Sequence, residues 1–504
     1  MNISTVLDMA TEAYADRVAV VSGSQRLSYL ELRDKAYAAA ARIKLSGVSC
    51  VALLDVNSAA VPVAIFGAAY ASVPYVPLSY RLTRREINEL LARVAPALLV
   101  TSTDYRELVE PRESLQIIHR EEFLSLPAAG DSPAQLDENT RGVAVQLFTS
   151  GTTGKPKAAV LRHENLMSYI IGTVEFAAAG DADASVVTVP PYHIAGITAV
   201  LSSTYACRRM IQLQSFEPRA WLEAVRRERA SNAFLVPTML SRVVEHIVAT
   251  GEAPNVPSLR ALAYGGGRMP LPTIQKAMEL FPSVDFTNAY GLTETSSTIA
   301  VLGPEDHRAS IASDDPRIQR RLASVGKPAA VEIQVRDEFG RVLEPEQVGL
   351  VFVRGEQVSG EYLASGSQLD EQGWFPTKDR GYLDAEGYLF LDGRADDVIV
   401  RGGENISPGE IEEVLLQHSA VAEAAVVAIP DGQWGEGVGA AVVLKPGADV
   451  SVTELQDFVR QSLRSSRVPQ AIVFRDELPH NELGKLLRRL IREEFAEDAA
   501  ARET

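Results

Sequence analysis

The sequence predicts an α/β fold in two domains, a large one over residues 1–395 and a small α+β one over 396–504. Three observations carry that prediction. Up to about residue 250, helix-like and strand-like stretches alternate, the pattern of a largely parallel sheet covered by helices. Around VEIQV (331–335) and GLVFV (349–353) the apolar period shortens to two, with turn residues between, as in antiparallel strands. At GRADD (393–397) a charged turn separates this region from a new series of elements.

In order along the chain, Ser28 and Glu31 form a capping box that opens a helix through Ala40. VSCVALLDV (48–56) reads as a buried strand, and a helix follows over 60–71. The strand AVQLF (144–148) enters a Gly-rich loop, AAVL (158–161) leaves it, and a helix runs from His163 to Ile171. Ala261–Tyr264 is a short strand stopped by Gly265, Gly266 and Gly267, with Pro270 and Pro272 leading into the next helix. Past the charged turn, Ser407, Pro408 and Glu410 start a helix whose apolar face is Ile411, Val414 and Leu415. AAVVAIP and AAVVLKP are strands, and Ser451 with Glu454 opens a helix that turns Leu455, Phe458 and Val459 inward.

At 504 residues the chain is too long for one core, and its 46% hydrophobic and 23% charged composition is that of a folded globular protein. A net charge of −17 excludes the dense basic footprint that nucleic-acid backbones require, but not a small nucleotide bound by a few local donors. Cys50 and Cys207 are too few for a disulfide framework or a cysteine zinc site and are expected to be buried. No apolar run reaches the roughly 18 residues of a membrane span, and the opening residues lack a secretory pattern, so a cytoplasmic enzyme is expected. The oligomeric state is left open, a homodimer included. Nine lysines stand against forty arginines, so a lysine inside a motif points to a need for a compact ammonium, which singles out Lys155, Lys157 and Lys485.

The densest chemical signal is TSGTTGKPK, from Thr149 through Ser150, Gly151, Thr152, Thr153, Gly154 and Lys155 to Lys157. Its glycines free backbone N–H groups to converge on phosphate oxygens, its hydroxyls add donors and its lysines add charge; a solvated turn uses the same residue types. It is not a Walker A loop, because Pro156 follows Lys155 and no helix begins there.

At this loop the sequence resembles the adenylate-forming superfamily of acyl-CoA synthetases, amino-acid adenylation domains and luciferases, and the likeness extends over nearly the whole chain. The resemblance implies a large domain of two α/β subdomains and a barrel-like antiparallel one, with a mobile C-terminal domain turning about a hinge at Asp396. It assigns ATP to the glycine-threonine loop, to Gly265 and Gly266, and to Asn288, Ala289, Tyr290 and Gly291, with Tyr290 stacked on adenine. In YGLTE, Thr293 would bond the α-phosphate and Glu294 would hold Mg²⁺. Asp379 in GWFPTKDRGYLD would accept both ribose hydroxyls and Arg394 would be the second ribose contact. In RGGENISPGEIE, Gly403 would line the path of a pantetheine arm, where a side chain would obstruct it. Lys485 in ELPHNELGKLLRR would be the catalytic ammonium. Singly, each of these acids, glycines and lysines also reads as an ordinary turn, cap or surface charge.

PPYHIAG bears on the substrate. The amino-acid-activating branch has Asp where this chain has His193, and a histidine cannot replace that carboxylate at neutral pH, so the acid is expected to lack an α-amino group, as fatty, aryl and polycyclic acids do. His193 reads equally as a core histidine, and FLVPTML (234–240) as pocket wall or as core. Departures from the family pattern are Ser72, Ala158 and Lys378 where glycine is usual, and His480 where Arg or Lys is usual. Arg464 and Arg467 could meet the phosphates of coenzyme A or cap a solvated helix end. The function expected is ATP-dependent conversion of a carboxylic acid to its acyl-AMP, then to its CoA thioester. A phosphopantetheine carrier protein as acceptor and a catalytically silent nucleotide-binding protein are the alternatives.

Overall fold

The computed structural model describes residues 1–127, 141–149, 156–431, 433–480 and 486–502. Its contacts divide the chain into two compact units, Met1–Ile333 with Val353–Phe375, and Gln334–Phe352 with Pro376–Thr504. The boundary expected at residue 395 falls inside the second unit.

The first unit is built on two sheets. A nine-stranded sheet runs parallel through Val18–Ser22, Arg209–Gln212, Ala184–Val187, Asn232–Leu235, Ala261–Gly265 and Asp285–Leu292, and continues antiparallel into Ser297–Leu302 and Lys327–Pro328. An eight-stranded sheet runs parallel through Leu115–His119, Ala97–Thr101, Cys50–Leu54, Tyr75–Pro77 and Val143–Thr149, and then antiparallel into Lys157–Arg162 and Glu361–Tyr362. Strands of both sheets share one core with the helices Ser4–Tyr14, Tyr29–Ser46, Ala60–Tyr70, His163–Thr173 and Ile194–Tyr205. Strand periodicity makes this possible: Val51 and Leu53 face that core, while Cys50, Ala52 and Leu54 face a second cluster on the other side. The strand reads as unbroken apolar text because both of its faces are covered.

The Ser28 capping box forms as expected, with Glu31 N donating to Ser28 Oγ at 3.2 Å and Ser28 N to Glu31 at 2.8 Å, and the helix continues past Ala40 to a left-handed Gly47. Both cysteines are buried and free. Among the described residues no helix is long and apolar enough to cross a membrane.

In the second unit, Val421–Asp431 and Gly435–Leu444 pair antiparallel, and Ala471–Arg475 joins the latter in parallel. Alternation again divides the faces. Val426, Val438, Ala440 and Val442 pack toward the helices Pro408–Gln417 and Val452–Ser462, and Ala425, Val427, Ala441 and Val443 pack toward Ile491 and Phe495 of Arg488–Arg502. Ser407 precedes its helix as expected, but its hydroxyl donates to Asp392 O at 2.6 Å instead of capping.

Candidate active site

The glycine-threonine loop is strung between two strands, as the sequence indicates. Val143–Thr149 and Lys157–Arg162 pair antiparallel up to Thr149 opposite Lys157, and Thr149 Oγ1 lies 3.4 Å from Lys157 O. Ser150, Gly151, Thr152, Thr153, Gly154 and Lys155 lie outside the described residues, as does Lys485. Lys157 is exposed, its Nζ 5.5 Å from the centroid of the Tyr362 ring.

The second cluster forms where parallel strands end together. Tyr264 pairs with Asn288 and Gly265 with Ala289. A Cβ on Gly265 would stand 2.0 Å from Ala289 O, so only glycine lets the strands close at this point. Asn288 Nδ2 donates to Ser324 O at 3.2 Å. Behind them lies a buried pair that the sequence did not reveal. His307 Nδ1 is 2.7 Å from Gly303 O, so the proton sits on Nδ1, and Nε2 accepts from the Tyr264 hydroxyl at 2.9 Å.

A bulge after Tyr290 turns the strand into the 3₁₀ turn Thr293–Thr295. Thr295, fully buried, pins that turn. Its hydroxyl lies 3.0 Å from Leu292 O and 2.8 Å from Ser297 O, and Gln357 Nε2 donates to Thr295 O and Thr298 O at 3.0 and 2.8 Å. Glu294 is presented from this corner. Its Oε1 accepts from the Tyr362 hydroxyl at 2.5 Å, and its carbonyl accepts from the Ser359 and Gly360 amides at 2.9 and 3.1 Å. Tyr362, Gln357 and Thr295 were not among the expected site residues. Tyr362 is 68 residues from Glu294, and no spacing rule joins them.

In the second unit, Asp379 and Arg394 are direct cross-strand partners, and Arg394 Nη1 donates to Asp379 Oδ1 at 2.8 Å. Asp379 is 6% exposed, and its amide donates to Thr377 Oγ1 at 3.1 Å. Lys378 keeps the left-handed backbone of the usual glycine, with φ 64°, and Ser72 in the first unit does the same at φ 58°. Both departures therefore change the side chain and leave the turn intact. Asp396, exposed, lies in the turn Ala395–Asp397, and its carbonyl accepts from Arg492 Nη2 at 3.3 Å. Gly403 has φ 85° and open space around its Cβ position, so backbone conformation is what requires glycine there. Arg467 lies 2.5 Å from Glu404 and 2.6 Å from Glu410.

His193 directly precedes the helix Ile194–Tyr205, its ring 4.6 Å from that of Tyr192, which meets Tyr80 edge-on at 5.4 Å. Burial, aided by the charge of Arg81, lowers its pKa to about 3, so the imidazole is neutral. FLVPTML falls where a strand passes into a helix, and its Leu235, Val236 and Leu240 are buried.

These residues fit a metal-bound nucleotide. Glu294 has no cationic partner among the described residues. Those residues contain no group of three or more His, Cys, Asp or Glu able to hold a metal ion. A magnesium ion bound through one protein carboxylate, phosphates and water needs no such group. Asp379, already charge-balanced, suits hydroxyl groups better than a metal ion.

Two helix-covered sheets, with a Gly- and Thr-rich segment joining two antiparallel strands of one of them, agree with the architecture that the resemblance implies. The AMP-binding enzyme model matches residues 7–363, and the model of the C-terminal domain of AMP-binding enzymes matches residues 410–485. The chain belongs to the AMP-binding enzyme family. It is 31% identical over 485 residues to a 2-succinylbenzoate–CoA ligase of Bacillus cereus, covering 95% of each chain. Among solved structures it is similar to the o-succinylbenzoate CoA synthetase MenE of Bacillus subtilis in complex with the acyl-adenylate OSB-AMP, with TM-score 0.83, 28% identity and 97% of both chains covered. That synthetase in complex with ATP and magnesium matches with TM-score 0.80 at 28% identity, over 96% of this chain and 98% of that one. The amide bond synthetase McbA of Marinactinospora thermotolerans matches with TM-score 0.83 at 27% identity, over 98% and 99%. The chain is an AMP-forming acid–thiol ligase of the acyl-CoA synthetase branch. It uses ATP, Mg²⁺ and coenzyme A to convert a carboxylic acid into its CoA thioester by way of the acyl-AMP.

Proposed function

We propose that this ligase is a cytoplasmic enzyme whose acid is aromatic, of the 2-succinylbenzoate type. The observation that carries the reading is the neutral His193 at the position where an amino-acid-activating relative has Asp, in a chain aligned almost end to end with 2-succinylbenzoate–CoA ligases. A neutral imidazole in an aromatic wall of Tyr192 and Tyr80 offers no negative charge to balance an α-ammonium and suits a ring.

In this reading the glycine-threonine loop and Lys157 bind the triphosphate, and Tyr290, beside Gly265, Gly266 and Ala289, stacks on adenine. Asp379 and Arg394 take the ribose, and Thr293 meets the α-phosphate. Glu294 would hold the magnesium ion, which when bound would supply Lewis-acid charge withdrawal at the phosphate oxygens. The acid's carboxylate forms a bond to the α-phosphorus as the bond to pyrophosphate breaks, with the Lys485 ammonium offsetting the charge that develops. The C-terminal domain then turns about Asp396 and brings Gly403 to the thiol path. The thiol sulfur forms the thioester, its proton passes to solvent, and AMP leaves.

The test is a panel of acids supplied with ATP, Mg²⁺ and coenzyme A, read as AMP release and thioester mass. It holds 2-succinylbenzoate, simpler benzoates, medium and long fatty acids, and amino acids. The reading expects the aromatic acids to lead in kcat/KM, and a fatty or amino acid ahead of them would overturn it. Offering amines and a holo carrier protein in place of coenzyme A settles the acceptor, which the likeness to an amide bond synthetase makes worth asking.

A further inference from the structure

Glu294 is gripped twice by one short segment. Its carbonyl accepts from the amides of Ser359 and Gly360 and from Ser359 Oγ at 3.3 Å, and its Oε1 accepts from the Tyr362 hydroxyl at 2.5 Å. A carboxylate held at one oxygen and at its own backbone loses its torsional freedom, and its second oxygen is aimed in a fixed direction. Because the donor is a neutral phenol, the carboxylate is oriented without being neutralised.

The same phenol ring faces the other charge of the site, with Lys157 Nζ 5.5 Å from its centroid. Neither Lys157 nor Glu294 has an ion-pair partner among the described residues. The ring thus contacts an ammonium with its π-face and a carboxylate with its hydroxyl, occupying both without pairing them.

The segment that carries Tyr362 is itself fixed. Glu361 and Tyr362 pair with Val160 and Ala159 of the hairpin that bears the loop, Leu363 N donates to Ala158 O at 2.9 Å, and Arg162 grips Glu361 through two 2.9 Å hydrogen bonds. The backbone of Tyr362 belongs to the eight-stranded sheet, and its hydroxyl reaches the corner of the nine-stranded one.

We infer that Tyr362 is a positioning residue for the metal-binding carboxylate: it fixes Glu294 and, through Lys157, ties its orientation to the phosphate loop. The inference rests on the assignment of Glu294 to Mg²⁺. It is tested by binding: calorimetric titration of the full chain with ATP, in a series of magnesium concentrations and in EDTA. Tyr362→Phe removes the hydroxyl and retains the ring. It is expected to raise the magnesium concentration for half-maximal ATP affinity about tenfold while leaving ATP affinity in EDTA unchanged. Tyr362→Leu removes the ring as well and is expected also to weaken ATP in EDTA, severalfold, through Lys157. Thioester formation from supplied acyl-adenylate, which involves no triphosphate, should be unmoved in Tyr362→Phe.

Equal weakening by Tyr362→Phe with and without magnesium would mark a structural effect and overturn the inference, as would an unchanged magnesium requirement. Glu294→Gln separates this failure from that of the underlying reading. If that variant retains the wild-type magnesium dependence, Glu294 does not hold the metal and both fall. If it loses the dependence while Tyr362→Phe retains it, the role given to Tyr362 alone is wrong.

Discussion

Two acids of this chain are held in opposite ways. Glu294, at a corner of the first unit, is fixed by a neutral phenol and two backbone amides, while Asp379, on a strand of the second unit, lies 2.8 Å from a guanidinium directly across the ladder. The first arrangement orients a charge and leaves it available to a cation. The second balances a charge and leaves acceptor lone pairs for hydroxyls. On the assignment proposed above, the manner of support, more than the residue type, separates the metal ligand from the sugar ligand.

The comparison can be broken by removing each charge in turn. Glu294→Gln keeps the shape and discards the charge, so adenylation should fall by about a hundredfold or more, with the deficit in kcat at saturating magnesium. Asp379→Asn should act on nucleotide affinity. The KM for ATP should rise roughly tenfold, and the preference for ATP over 2′-deoxy-ATP should shrink, because the group that receives the hydroxyl is the one altered. If the two variants gave the same pattern, the distinction would be wrong.

Stability sharpens the contrast. Arg394→Ala strips the balancing charge from a carboxylate that is 6% exposed and should cost about 3 kcal/mol in chemical denaturation, whereas Tyr362→Phe removes a neutral donor and should cost about 1 kcal/mol. His193 shows what burial does without a compensating carboxylate. The unfolded chain protonates it below about pH 6.5 and the native chain only near 3, so acidification through that window favours unfolding. Unfolding free energies from urea titration at pH 7 and pH 5 should differ by up to about 2 kcal/mol more in the wild-type chain than in His193→Gln. The smallest effect is expected where glycine is replaced in left-handed turns. Lys378→Gly and Ser72→Gly should each stabilise by about 0.5–1 kcal/mol, measured by the same denaturation.

Much of this was legible in the sequence because it is local. The Ser28 capping box needs three residues, the buried strand at Cys50–Leu54 needs a run of apolar letters, and the hairpin around the glycine-threonine loop needs two such runs and a turn. The pairing of Asp379 with Arg394 follows from one strand register over fifteen residues. Ser407 begins its helix as read, but where its hydroxyl goes was not legible, because the carbonyl that takes it, that of Asp392, belongs to an earlier strand. The two carboxylates beside Arg467 lie 63 and 57 residues away, beyond any local pattern.

The sequence by itself determined the alternation of elements, the turns that need a left-handed residue, and the residue types able to meet phosphate, ribose and metal. Those are consequences of backbone geometry and side-chain chemistry over a few neighbouring positions. Only the tertiary structure decided which charges are balanced and which remain available: that Tyr362 orients Glu294, that Gln357 pins the turn beneath it, that Tyr264 leans on His307, and that His193 is neutral. Charge state and orientation depend on what packs around a group after chain segments tens of residues apart have been brought together, and no local pattern records that.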